Sequence, residues 1–437
     1  MVSPGVSVTL TPDEGLRKRV ALALLRLETW LETVHQPDGY AGPVVHWWRH
    51  SLRYTGPGID WRYEGIVSGY TILAKTQADP RWQVRLHRAI EEVGRGQRPD
   101  GSYLASRFEQ NPGTNGTPHE AAASLGLLHA AQKGYHEDLV REVVGRNLEH
   151  IVATYGDSKR HTVNDHPSII GYVPNKLATL AETLLEWGEW TGSEEYLDKA
   201  KAALGTVLQY QVHEGRFRGA IHQYAPAGGS GDGRFFPYYN ARCVSALLKA
   251  AEIFGEDPYR RAAEAILGFL DQTMHENGSW PQIVYASNEV ADGPRWLAGA
   301  ADILRAYLLC GRPVSTVALV RLLQGQMQSG AFAAADGFFG FRSVPAWHDV
   351  IPVAGWNDKI FRFLLEWLDG RPFEDDEVGQ IGNVDGAVRL GPKRLGQGRW
   401  IETPEKCELR AQDGSLLYRW VKSEPWATAE TSFVGEG

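Results

Sequence analysis

The apolar residues Leu16, Val20, Leu24, Leu27 and Leu31 fall three or four positions apart, which places them on one face of a helix. Ahead of them, Thr11-Pro12-Asp13-Glu14 supplies an N-cap, a proline at the first helical position and acids in the first turn. Comparable starts recur at Asp79-Pro80, His136-Glu137, Ser193-Glu194, Asp257-Pro258 and Val314-Ser315. Counted from residues 80, 137, 194, 258 and 315, the steps are 57, 57, 64 and 57, the mark of a repeated supersecondary unit. A second apolar-periodic segment precedes each start across a short turn, and these segments lie near 60–76, 119–133, 174–191, 239–254, 294–310 and 356–369. Gly134-Tyr135, Gly192, Gly255-Glu256 and Gly311-Arg312-Pro313 supply the turns. The last segment ends at Gly370-Arg371-Pro372 with no helix after it, so the N-terminal helix is expected to complete the final pair. Twelve helices, six inner and six outer, then close a ring over residues 1–372.

A turn motif repeats with the same period: Gln36-Pro37-Asp38-Gly39-Tyr40, Gln97-Arg98-Pro99-Asp100-Gly101-Ser102-Tyr103, Gln211 to Phe217, Glu276 to Trp280 and Gln326 to Phe332. Its glycine suits positive φ and its aromatic residue packs between helices, so its side chains read as braces rather than catalytic groups. Residues 373–437 differ in composition. Val388-Arg389-Leu390, residues 398–402, 407–410 and 416–421, with Asp413-Gly414 as a hairpin turn, predict a small β-rich appendage packed on the ring. The helix and turn repeats resemble the six-hairpin α/α toroids, a superfamily shared by glycoside hydrolases, polysaccharide lyases and sugar epimerases. The resemblance implies an all-α fold, an (α/α)6 toroid of six hairpins with a C-terminal β-rich appendage. The Gln-x-x-Asp-Gly turns are similar to those of terpene cyclases and protein prenyltransferases too, so the resemblance speaks to architecture and leaves the chemistry open.

Composition narrows the function classes. The chain has 437 residues and a formal charge of −8 with no basic block, which argues against nucleic acid as a partner. No run approaches about 18 apolar residues and no signal peptide is evident, so a cytoplasmic protein without membrane insertion is expected. Cys243, Cys310 and Cys407 lack disulfide or metal-ligand spacing. The 15 Trp, 17 Tyr and 14 Phe suit a large core and a wide aromatic-lined ligand site.

Loop length polarises the ring. Connections from outer to inner helix are long, as at 36–59, 96–118 and 329–355, and all must emerge on the face where the inner helices begin. A base sits in or near the first turn of five inner helices: Arg62, Lys176, Arg242, Arg295 and Lys359. The helix dipole opposes a cation there by about 0.3–1 kcal/mol. A shared anionic ligand would offset that repulsion, as would pairwise neutralisation by Glu64, Glu120 and Asp358. Candidate catalytic groups on this face are His119, Glu120, His166, Tyr239, Arg242 and Asp358. Trp61, Trp296 and Trp356 would stack on sugar rings, and Arg62, Glu64, Lys176, Asn240, Arg295, His348, Asn357 and Lys359 would hold polar groups.

The expected function is a carbohydrate-active enzyme acting on a uronate-bearing oligo- or polysaccharide by β-elimination or hydrolysis. Hydrolysis would need a carboxylate pair, available from Glu64, Glu120, Asp349 and Asp358. No cofactor or metal is required, although mouth carboxylates could hold Ca²⁺. A terpene-cyclase-like ring and a non-catalytic glycan-binding scaffold stand as alternatives. The first would need an Asp-x-Asp-Asp motif or an Asp/Cys/His zinc site, and neither is evident; the second would show no perturbed acid or base in the mouth.

Overall fold

The computed structural model describes residues 14–37, 39–40, 42–46, 51–55, 58–103, 120–157, 162–164, 171–226, 228–293, 295–327, 329–335, 352, 354–370, 386–390, 393–402, 406–411 and 413–421. Its helices are α1 (Glu14–Thr33), α2 (Arg62–Thr76), α3 (Pro80–Arg95), α4 (Ala121–Ala131), α5 (Glu137–Tyr155), α6 (Pro174–Thr191), α7 (Glu194–Gln209), α8 (Pro237–Phe254), α9 (Asp257–Thr273), α10 (Leu297–Leu309), α11 (Thr316–Gln324) and α12 (Ala354–Trp367). The inner helices α2, α4, α6, α8, α10 and α12 pack in that order, and α12 returns to α2. Each outer helix covers its inner partner, and α1 lies on α12. The ring is a closed (α/α)6 toroid.

Helix composition explains which layer each helix occupies. All of α4 except His129 is buried, and its Ala-rich sequence lets neighbours approach from every side. Outer α3 instead buries Trp82, Leu86, Ala89, Ile90 and Val93 along one stripe and turns its arginines outward or sideways. Asp79 caps α3 by accepting from the Arg81 N–H at 2.9 Å, and Ser315 caps α11 through the Ala318 N–H. Gly192 and Gly255 end α6 and α8 in the left-handed region. His136 departs from the expected helix start: its φ is +50° and it makes no cap bond, its Nε2 lying 2.5 Å from Nδ1 of His87 instead.

The turn motif is a clasp. Gln97, Gln211 and Gln326 each donate through Nε2 to the carbonyl of a clasp glycine, at 3.2 Å to Gly101, 3.0 Å to Gly219 and 2.8 Å to Gly330; in the second turn that glycine is Gly219, and not Gly215 of the Gln211 to Phe217 motif, because the turn is four residues longer there. The same nitrogen donates to a carbonyl of the following outer helix, at 2.7 Å to Val143, 3.0 Å to Ala262 and 2.6 Å to Ala23. These glycines have φ of +87°, +95° and +95°, and a Cβ on any of them would overlap the carbonyl oxygen of Arg146, Ala265 or Arg26. The third clasp grips α1, where Arg26 also donates to the Met327 carbonyl at 2.9 Å, so the seam is closed like the other joints. Gly330→Ala is expected to destabilise the ring by about 3 kcal/mol through overlap and a disfavoured φ. Gly268→Ala, on α9 with nothing within 4 Å of its added Cβ, should instead stabilise by up to about 1 kcal/mol. Urea unfolding of both variants checks the contrast.

Short antiparallel pairs join the long connections, among them 171–172 with 225–226 and 283–285 with 234–235 and 290–291. Segments 386–390, 393–402, 406–411 and 416–421 form a four-stranded antiparallel meander. Among the described residues no helix is long and apolar enough to cross a membrane.

Candidate functional site

Half of inner helix α8 is buried, and Tyr238, Tyr239, Arg242 and Ser245 are among its partly open residues. Their spacing puts them on one stripe facing the bore of the ring. Glu64 lies on α2, the third helix away in either direction and hence diametrically opposite. Arg242 reaches across and engages it with both terminal nitrogens, at 3.0 Å and 2.7 Å. That bidentate bridge spans the bore and floors the funnel of inner-helix starts above it.

Two further cations converge on the same carboxylate: Lys359 Nζ at 2.8 Å and Arg362 Nη1 at 3.2 Å. Burial opposes ionisation of Glu64, which is 1% exposed, but Arg242, Lys359 and Arg362 outweigh it and hold the group well below the ordinary carboxylate range. Deeper in the funnel, Glu366 accepts from Arg305 at 2.6 and 3.1 Å and from Arg362 at 2.8 Å. These arginines prevail over burial and bring Glu366 down to about 2. Three other acids are driven the opposite way, chiefly by burial. Glu182 bonds to the Ser245 hydroxyl and is raised, Asp302 lies 3.5 Å from Arg242 and is raised, and Asp358 is pushed up to about 7. His129, bonded to Ser68 at 2.9 Å, is pushed down to about 3 by burial and by Arg362 and Arg305. The floor therefore brings four cations, Arg242, Arg305, Lys359 and Arg362, together with five acids, of which Glu64 and Glu366 are held most firmly in the ionised form.

Aromatic side chains cluster at the starts of α2, α8, α10 and α12. Trp296 and Trp356 lie 4.7 Å apart between ring centroids, Tyr238 and Tyr239 4.1 Å, and Phe236 and Tyr239 5.2 Å. Trp61 packs with Trp356 and donates to the Gly355 carbonyl at 2.9 Å. Gly299 lets α10 close on α8, since a Cβ there would sit 2.8 Å from that of Tyr238. A crevice lined by Tyr238, Trp280, Gln282, Arg295 and Trp296 lies between the fourth and fifth hairpins.

The structure sorts the residues singled out from sequence. Tyr239, Arg242, Glu64, Lys359, Trp61, Trp296 and Trp356 meet around the funnel. Arg62 is turned away from it: Nε and Nη2 bond to Asp60 at 2.8 and 2.9 Å, and Nη1 donates to the Tyr40 carbonyl at 2.6 Å. Asn240 and Asn357 hold the backbone of the clasp turns. Each accepts an N–H, from Ile221 at 2.5 Å and Phe332 at 2.6 Å, and each donates to the carbonyl of that same residue at 3.1 Å. Glu120 accepts the Tyr103 N–H at 2.5 Å in the corresponding place. Arg295 bonds to Ser279 at 3.1 Å, Lys176 is half-buried at the start of α6, and Asp358 accepts the Gly65 N–H at 3.0 Å and Lys359 Nζ at 2.9 Å. His119, His166 and His348, with Asp349, lie outside the described residues. Among the described residues no group of three or more His, Cys, Asp or Glu is arranged to hold a metal ion.

Sequence reading passed over Glu182, Asp302, Arg305, Arg362 and Glu366. They sit one to three turns below the first turns of their helices. The available signal was charge recurring every three or four residues within apolar helices, as in Asp302-x-x-Arg305 and Asp358-x-x-x-Arg362-x-x-x-Glu366.

No family model matches the chain, and no curated protein matches it. Solved structures do. A D-mannose isomerase is 14% identical with a TM-score of 0.61, the match covering 82% of this chain and 100% of that one. A sugar epimerase from a ruminal bacterium is 14% identical at a TM-score of 0.60, over 81% and 98% of the two chains. An unsaturated glucuronyl hydrolase specific for heparin is 12% identical at 0.59, over 82% and 98%. At such identities the likeness is one of fold: this chain shares its α/α toroid with enzymes that isomerise, epimerise and hydrolyse sugars.

Proposed function

We propose that this protein is a carbohydrate-active enzyme that takes an acidic saccharide into the funnel and acts on it by general acid catalysis. The observation that carries the reading is the convergence of Arg242, Arg305, Lys359 and Arg362 at the floor of the bore, beneath the aromatic side chains of the helix starts. Indole and phenol faces suit the apolar faces of pyranose rings, and buried guanidinium and ammonium groups favour a carboxylate nearby. Structural neighbours that act on sugars support the same class.

Asp302 is the proton donor in this reading. Its side chain is 11% exposed, it lies beside Arg242 and near Tyr238 on the open stripe, and burial favours its protonated form. Tyr239, packed against Tyr238, orients the sugar from the same wall. General acid catalysis fits the geometry better than β-elimination, because Arg242, the natural partner of a developing enolate, has both terminal nitrogens on Glu64. A lumen this charged does not suit cyclisation of a hydrocarbon cation.

Calorimetry with uronate-bearing and neutral oligosaccharides at low and high salt tests the reading. The acidic ligands should bind more tightly and lose affinity as salt rises. New reducing ends should form without the absorbance of an unsaturated uronate. Equal, salt-independent affinity for both ligand classes would remove the basis for an anionic substrate.

A further inference from the structure

Three joints of the ring are built alike. Gln97, Gln211 and Gln326 pair across their turns with Tyr103, Ile221 and Phe332, each two residues after the clasp glycine. An inner-helix side chain then grips the backbone of that second residue. Asn240 and Asn357 do so with both ends of the amide: the oxygen accepts the N–H, and the nitrogen donates to the carbonyl. At the remaining joint the gripping residue is Glu120. Its Oε1 accepts the Tyr103 N–H, and its Oε2 has no partner among the described residues although the side chain is buried. In the two asparagines the second side-chain atom is the donor to the gripped carbonyl, and in Glu120 its chemical counterpart is the unpartnered Oε2. An ionised carboxylate cannot donate; a protonated one can.

We propose that Glu120 is a neutral carboxylic acid in the folded protein, donating its proton to the Tyr103 carbonyl where Asn240 and Asn357 donate an amide hydrogen, and that its ionisation unlatches the Gln97 joint of the ring. The surroundings agree. Burial is the largest influence and, opposed by the Tyr103 N–H and Arg98 and reinforced by Asp100, moves the group up to about 8. Arg98 and Asp100 face it from the turn, and Asp100 is itself occupied by Ser102. From α5, Arg146 donates to the Arg98 and Pro99 carbonyls of the turn and His150 lies against Gly101 and acts on Asp100, while further in the Tyr103 hydroxyl sits on Ser124 and Ser124 on Asn147. The nearest acid on α2, Glu64, is committed to Arg242, Lys359 and Arg362, and on α6 Glu182 is bonded to Ser245. The inference does not depend on the substrate proposed for the funnel.

The sign follows from linkage. The folded protein holds a proton on Glu120 that the unfolded chain releases near pH 4.5, so stability falls as pH rises from there to about 8 and is flat beyond. Glu120→Gln keeps the shape and supplies a permanent donor. Denaturant unfolding of the whole chain should show the two proteins equal near pH 5. The variant's folding equilibrium should then gain about tenfold per pH unit up to about pH 8. Asn240→Asp provides the converse, because it should introduce a new loss of stability with rising pH at a joint that has none. Infrared difference spectra between wild type and Glu120→Gln at pH 6 should contain the carbonyl band of a protonated acid. A pH-independent difference between wild type and Glu120→Gln, or a carboxylate band alone, would overturn the proposal.

Discussion

Glu64→Leu is expected to cost about 3–5 kcal/mol of folding stability, the usual loss when one partner is removed from a buried charge cluster. Arg242, Lys359 and Arg362 would stay in the bore with fewer partners: Asp302 at 3.5 Å, Asp358 at 2.9 Å and Glu366 at 2.8 Å respectively. The loss therefore falls short of three stranded cations. Glu64→Gln, which keeps shape and one acceptor, should cost less. Urea denaturation separates the three proteins, and a leucine variant within about 1 kcal/mol of wild type would mean that water reaches the cluster freely. The same carboxylate sets an acid limit. Glu64 and Glu366 are held below their unfolded values, so their contribution is complete above about pH 4.5 and lost as pH falls toward the folded values.

Asp302→Asn should lower kcat by about 10²- to 10⁴-fold on a substrate identified from the oligosaccharide panel. KM should change little, because asparagine keeps the shape and the contact with Arg242. Wild-type turnover should fall as pH rises through the raised pKa of Asp302, and the variant's residual rate should lack that limb. Retained stability with unchanged kcat would remove Asp302 from the chemistry while leaving the binding site in place.

The ring was legible because its signals are local. Caps such as Asp79-Pro80 and turns such as Gln97 to Tyr103 are contained within a few residues, and each recurs. The funnel was legible only at its rim. Trp61, Tyr239, Trp296 and Trp356 stand at helix starts, where a linear reading looks for function. The depth was not, because it rests on pairing across the bore: 178 residues separate Arg242 from Glu64, and 298 separate Arg362 from Glu64. Arg62 shows the opposite error. Its partner Asp60 lies two residues earlier, so a base that reads as a ligand contact is a brace. Nor does sequence show that Glu120, Asn240 and Asn357 do one job, since the turn each holds lies 17 to 25 residues upstream.

The seam also governs the order of assembly. Hairpins formed by α2 with α3, or α6 with α7, can pair as soon as both helices exist. Helix α1 must wait for α12, while Gln326 and Ala23, 303 residues apart, must meet before the last joint locks. During synthesis at about 5–20 residues per second, the apolar face of α1 is therefore without its native cover for tens of seconds. Closure of the circle is the slow, long-range step, and an unclosed chain offers α1 to the vacant α12 of another copy. The Ala23 and Arg26 contacts with the final turn discriminate against such exchange only after the ring has found its own first helix.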